Sequence, residues 1–167
     1  ASDRHLSVDS FDFYCEFGLE GPRPREAQWA ANLYESGSQE EAGFISDGEK
    51  VGAWTAWYES GAQKLAGFIS DEKWEGPWSE WYENGQKWRE DSYKNGKKHG
   101  PYTEWHASGQ KMLEGSFENG AREGPVTTWY ENGQKQIECS YKDGKEEGPF
   151  TLWGENGQRY EGSSKDG

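Results

Sequence analysis

Tryptophan stands at Trp57, Trp81, Trp105, Trp129 and Trp153, each 24 residues after the last, and Leu33 lies one period before the first. A fixed period of this length forces the chain to fold as a stack of like units, because one unit is too small to bury its own apolar face and only a neighbour can cover it. Around this column the segments read NLYESG (32–37), AWYESG (56–61), EWYENG (80–85), EWHASG (104–109), TWYENG (128–133) and LWGENG (152–157). Gly37, Gly61, Gly85, Gly109, Gly133 and Gly157 form an unbroken second column. Gly52, Gly76, Gly100, Gly124 and Gly148 form a third, the last four each followed by proline. A fourth, Gly48, Gly96, Gly120 and Gly144, is broken by Glu72.

The punctuation inside a unit marks two strands and two turns. Asn95-Gly96, Asn119-Gly120 and Asp143-Gly144 are type I′ hairpin signals, because that turn needs positive φ at both central residues. Glu83-Asn84-Gly85-Gln86 and Ala107-Ser108-Gly109-Gln110 suit a longer turn with glycine in the left-handed position. Between the turns, Lys111–Glu118 alternates with period two. Each unit is therefore a hairpin, and the expected architecture is all-β: an elongated, single-layer antiparallel meander of stacked 24-residue hairpins. Residues 32–167 form about six units, the first and last degenerate, with Leu33 in place of tryptophan and Gly154 in place of tyrosine. Residues 1–31 form a non-repeat segment, and 24–34, the one stretch with helical periodicity, is expected to hold a short helix.

Composition alone points the other way. Leu, Ile, Val and Phe number only 19 of 167 residues and the net charge is −13, the profile of a disordered chain. The 26 aromatic residues reverse that expectation. In a one-layer sheet each neighbour buries the rings of the last, and glycine leaves room for a ring to lie flat on the strands. The acidity argues against nucleic acid or an anionic surface as the partner and favours a basic one. No run approaches the length of a membrane-spanning helix, and Ala1–Asp12 lacks the basic-then-apolar pattern of a signal peptide.

The unit W-Y-E-N-G-Q-K-x-x-E-x-S-Y-K-D-G-K-x-x-G-P, clearest at 81–101 and 129–149, closely resembles the bacterial variant of the MORN (membrane occupation and recognition nexus) repeat. Proteins of that group are often labelled antitoxin components of toxin–antitoxin systems. The resemblance covers residues 32–167 and implies an antiparallel meander that binds other proteins, with no enzymatic role for the repeat and no catalytic residue to transfer.

The residues themselves offer no catalytic constellation. His5, His99 and His106 have no nucleophile or metal partner in sequence, and His99 and His106 fall in columns filled elsewhere by Glu and Tyr. The carboxylates recur in every unit and read as a solvated face; no calcium-loop spacing is present. No cofactor or metal site is expected. Cys15 and Cys139 lie too far apart in an extended array to bridge and are expected as free thiols.

The aromatic columns offer the candidate site. Trp54, Trp78 and Tyr102 form one column with Phe150, whereas Trp74 and Trp88 stand alone at positions filled elsewhere by Lys98, Arg122 or Glu146 and by Met112 or Gln136. Columns that tolerate polar residues are expected to be exposed, which makes Trp74 and Trp88 an anchor pair, with Trp78, Trp54 and Tyr102 beside them. The expected function is a non-enzymatic protein-binding module, antitoxin- or immunity-like toward a basic partner such as a toxin. The alternatives are a carbohydrate- or cell-wall-binding repeat and a spacer or oligomerisation segment of a larger surface protein, in keeping with a chain that stops on the turn Asp166-Gly167, and self-association through open sheet edges is a further expectation.

Overall fold

The computed structural model describes residues 27–165. Among them the chain forms sixteen strands: β1 (Gln28–Leu33), β2 (Gln39–Ser46), β3 (Glu49–Trp57), β4 (Gln63–Ser70), β5 (Lys73–Trp74), β6 (Gly76–Trp81), β7 (Lys87–Lys94), β8 (Lys97–Lys98), β9 (Gly100–Trp105), β10 (Lys111–Glu118), β11 (Ala121–Arg122), β12 (Gly124–Trp129), β13 (Lys135–Lys142), β14 (Lys145–Glu146), β15 (Gly148–Trp153) and β16 (Arg159–Ser164). All belong to one sheet. Twelve follow one another along it in the order β1-β2-β3-β4-β6-β7-β9-β10-β12-β13-β15-β16, and β5, β8, β11 and β14 each pair with the strand before them. Every pairing is antiparallel. The single-layer meander is the architecture that the period demands.

The helix expected over 24–34 is not there. Residues 28–33 are strand β1, with Trp29 opposite Phe44 and Ala31 opposite Ala42. Helix propensity in the Ala-Ala stretch is a weak local preference, and a free ladder on β2 outweighs it. Residues 24–26, like Cys15, lie outside the described residues.

Two turn types alternate. After Trp81, the Tyr82 carbonyl accepts the Gly85 N–H at 2.9 Å and the Asn84 side chain accepts the Gln86 N–H at 3.0 Å, with Gly85 at φ +82°. A β-bulge follows: Trp81 faces Lys87 and Glu80 faces Arg89, so Trp88 is left over between them. Lys64, Met112 and Gln136 are the extra residues of the equivalent bulges. The last unit, one residue shorter, has none, and Trp153 and Leu152 face Arg159 and Tyr160 directly. The other turn places Asn95 at φ +52° and Gly96 at φ +76°. Here the Gly96 N–H bonds the Trp74 carbonyl at 3.0 Å and the Asn95 N–H bonds Glu75 Oε2 at 2.7 Å, so each tip rests on the short strand of the preceding repeat.

The second strand of each hairpin is split wherever proline follows glycine. At Gly100-Pro101 the glycine sits at φ +94° and proline has no N–H to donate, so the ladder stops after β8 and restarts as β9. β3 has Ala53 after Gly52 and continues as one strand, although its register on β2 shifts at the same place, leaving Gly52 and Ala53 over.

Period-two alternation sorts the side chains onto two faces. The first carries Trp54, Trp78, Tyr102, Val126 and Phe150, set opposite Gly43 and Gly67, Asp91, Gly115, Cys139 and Gly162. The second carries the periodic tryptophans. Lys111 lies 5.4 Å over the Trp129 ring, Lys87 5.9 Å over Trp105 and Lys135 5.9 Å over Trp153. Each of these lysines is ion-paired to Glu114, Glu90 or Glu138. Units are also stitched through tyrosine: the hydroxyls of Tyr34, Tyr58, Tyr82 and Tyr130 donate to the carbonyls of Trp57, Trp81, Trp105 and Trp153 at 2.8–2.9 Å. The buried residues among those described are Ala42, Gly43, Phe44, Gly52, Ala53, Trp54, Thr55, Trp57, Ile69, Asp91, Tyr102 and Val126. Trp81, Trp105, Trp129 and Trp153 are half-buried, as a sheet with no second layer requires.

Candidate binding face

Four of the five candidate side chains gather on the first face. Trp54 and Trp78 occupy equivalent positions on β3 and β6, Tyr102 the same position on β9, and Trp74, on β5, faces Ile69 of β4. Trp88 is the bulge residue of β7 and lies against Tyr82, ring centroids 6.2 Å apart. The structure separates them by exposure. Trp54 and Tyr102 are buried, at 4% and 2% exposed, and offer nothing to a partner, whereas Trp74, Trp78 and Trp88 are half-buried. The expectation that Trp74 and Trp88 are exposed is therefore corrected: both are half-buried. Trp74 packs edge-on against Trp78, centroids 3.9 Å apart and planes at 85°, and Trp88 folds over Tyr82. Rings of this size cover each other even on an open sheet.

Trp78 is the hub of the patch. Its Nε1 donates to Glu80 Oε1 at 2.8 Å, Trp74 meets one side, and Tyr93 lies 5.9 Å away on the other. Across β7, Asp91 stands opposite Trp78, where neighbouring repeats hold Gly67 and Gly115. Asp91 is 5% exposed. Arg89 Nε approaches its Oδ2 at 2.6 Å and Lys98 Nζ at 3.3 Å, while Arg89 also comes within 3.6 Å of Glu104. Burial pushes the Asp91 carboxyl above its ordinary range; Arg89 pulls it back, and Glu104 and Glu80 push it further up. Burial also raises the Tyr93 hydroxyl, with Asp91 adding to it, and the Tyr82 hydroxyl, with Glu104 adding to it.

Trp74, Trp88, Arg89 and Asp91 all depart from the residues at equivalent positions, and all belong to residues 74–98. The column pattern isolates the two tryptophans. An equal signal marks Asp91, which breaks the Gly43, Gly67, Gly115 series, and Arg89, which stands where Leu65, Leu113 and Ile137 stand elsewhere. Only the register shows that Arg89 and Asp91 lie on the strand beside Trp78, whose ring meets Trp74.

Of the described histidines, only His106 has a side-chain hydrogen bond, and His99 Nδ1 is buried without a hydrogen-bond partner. His106 Nε2 lies 3.1 Å from the Trp129 carbonyl, replacing the tyrosine hydroxyl of its column, and the His99 backbone N–H bonds the Ser92 carbonyl at 2.8 Å. Cys139 is a free thiol whose pKa is raised by burial and by Glu146. Among the described residues no three His, Cys, Asp or Glu side chains are grouped to hold a metal ion, and no helix is long and apolar enough to cross a membrane.

Comparison with known proteins adds the family. No curated protein matches this chain. Among solved structures, a chain in the crystal structure of a GtfA/B complex bound to UDP and GlcNAc is 13% identical with a TM-score of 0.24; the match covers 87% of this chain and 25% of that one. The profile of the MORN repeat variant matches residues 74–95, 98–119 and 122–143. These three consecutive matches coincide with the repeats built on β5–β7, β8–β10 and β11–β13, so this stretch of the sheet is made of MORN-variant repeats.

Proposed function

We propose that this chain is a non-enzymatic protein-binding module whose anchor is the first face of the repeat at 74–98. The observation that carries the reading is the edge-on pair of Trp74 and Trp78, both half-buried, beside a buried carboxylate that packing alone does not call for, with a third half-buried tryptophan, Trp88, on the bulge of the same repeat. Large rings that are only partly covered and rimmed by charge are the usual make-up of an interface hot spot. The partner surface is basic. Glu35, Glu59, Glu83, Glu131 and Glu155 are exposed along one long edge of the sheet, and the net charge of −13 steers a cation toward it. A basic toxin is one partner of this class. A sugar-binding role finds less support, because the regular tryptophans that could stack on sugars have lysines over their rings.

The test is retention of proteins from a cell extract by the immobilised chain and by its Trp74→Ala/Trp88→Ala variant. A basic protein should be held by the parent, released by salt, and lost by the variant with its circular dichroism intact. Retention that ignores both rings refutes the proposal.

A further inference from the structure

The rings of the first face lie on glycines, and which ring takes which glycine is not free. By register, each ring has one position on the strand before it and one on the strand after: Gly43 and Gly67 for Trp54, Gly67 and Asp91 for Trp78, Asp91 and Gly115 for Tyr102, Cys139 and Gly162 for Phe150. A methyl group placed on Gly43 would stand 2.0 Å from Trp54 Cε3, on Gly67 2.6 Å from Trp78 Cε3, on Gly115 2.7 Å from Tyr102 Cε1, and on Gly162 2.3 Å from Phe150 Cζ. Those distances name the occupant of each place. Trp54 and Trp78 lean toward the strand before them, and Tyr102 and Phe150 toward the strand after. The direction of lean reverses at Asp91.

Occupancy of position 91 accounts for Trp54, Trp78 and Tyr102, as the Cys139 side chain on the preceding strand does for Phe150. The Asp91 side chain is 2% exposed and is fixed by Arg89 and Lys98, so no ring can lie there. Trp78 is left with Gly67 alone; Trp54, finding Gly67 taken, lies on Gly43; Tyr102 is left with Gly115. Over Gly67, Trp78 meets Trp74, whose Cζ3 would stand 3.0 Å from a methyl at the same glycine. The edge-on indole pair of the proposed binding patch therefore follows from one carboxylate on the neighbouring strand.

We propose that Asp91 is a positioning residue for partner binding: by filling the place that glycine leaves open in other repeats, it turns Trp78 onto Gly67 and against Trp74, and so builds the two-ring edge that the partner meets. The proposal rests on the binding reading above. Two indoles in contact give an exciton couplet in far-ultraviolet circular dichroism, which reports the Trp74–Trp78 geometry with no partner present. Trp74→Phe identifies that couplet by removing it.

Asp91→Gly installs the residue that Gly67 and Gly115 already are. It should fold, lose most of the couplet, and retain about tenfold less of the captured protein. Asp91→Asn and Asp91→Cys keep the place filled and should keep both signals. An Asp91→Gly protein with the parent couplet overturns the proposal, as does loss of the couplet in the Asn and Cys variants, which would make charge rather than occupancy the cause. Failure of Asp91→Gly to fold overturns it too, since Asp91 would then be carrying the fold itself. Loss of the couplet with undiminished capture upholds the positioning and refutes the binding reading instead.

Discussion

Tyr34, Tyr58, Tyr82 and Tyr130 each send a hydroxyl hydrogen to the carbonyl of the tryptophan 23 residues on, so a side chain of one unit holds the backbone of the next. Tyr82→Phe should cost about 1 kcal/mol in denaturant titration, because the half-buried Trp105 carbonyl loses its donor while the ring stays. His106→Tyr should leave stability level or raise it. Two carboxyls carry opposite pH signatures. Burial alone would raise Glu41, but hydrogen bonds from Lys50, Trp54 and Asn32 outweigh it and hold the carboxyl below its ordinary range. Its stabilisation is present at neutral pH and is lost as pH falls below about 4. Asp91 lies above its range, so its folded form takes up a proton sooner than the unfolded chain does, and its contribution to stability rises as pH falls from neutral. Melting temperatures across pH should therefore show Glu41→Gln approaching the parent in acid, while the parent gains on Asp91→Asn. At this scale the sequence exposed the tyrosine column but not its bonds, which end on backbone atoms that no residue pattern records. It exposed Trp88 as unmatched but not as half-buried, because the bulge that turns it toward Tyr82 is a property of pairing.

The elements were legible where turn chemistry is local. Asn-Gly and Asp-Gly fix the tips, the tyrosine-glycine segments fix the wider turns, and both stand where the residues put them. Two features were not legible. The Ala-rich stretch before Leu33 has helical spacing, yet it is strand β1 because β2 presents an open ladder to it. The split of the second strand at Gly-Pro depends on a φ value that the glycine permits without demanding it. The bulge yields a sharp expectation. Deleting Met112 removes only the extra residue and gives the unbulged form of the last hairpin, so the protein should still fold, at a melting temperature a few degrees lower. Inserting one alanine between Gly115 and Ser116 should instead move Phe117 to the other face, strip Tyr102 of the ring 4.5 Å from it, and unfold that repeat in hydrogen exchange.

At the scale of the molecule, twelve strands about 4.8 Å apart make a sheet about 53 Å long among the described residues. Each repeat touches only its neighbours, which is why period and composition together foretold the architecture: aliphatic residues are scarce because there is no second layer to fill. What they could not foretell is that one repeat differs in kind. Its rings, its ion cluster and the aspartate that replaces glycine come from positions 74 to 98, and only the register lays them side by side. A partner that docks on that repeat's first face must cover its rings and leave the opposite face in water. Hydroxyl-radical footprinting of the chain, free and bound to the protein it captures, reads tryptophan oxidation ring by ring. Trp74 and Trp78 should become protected while Trp105, Trp129 and Trp153 of the second face do not. Protection of the second face with the first unchanged would refute docking at this repeat.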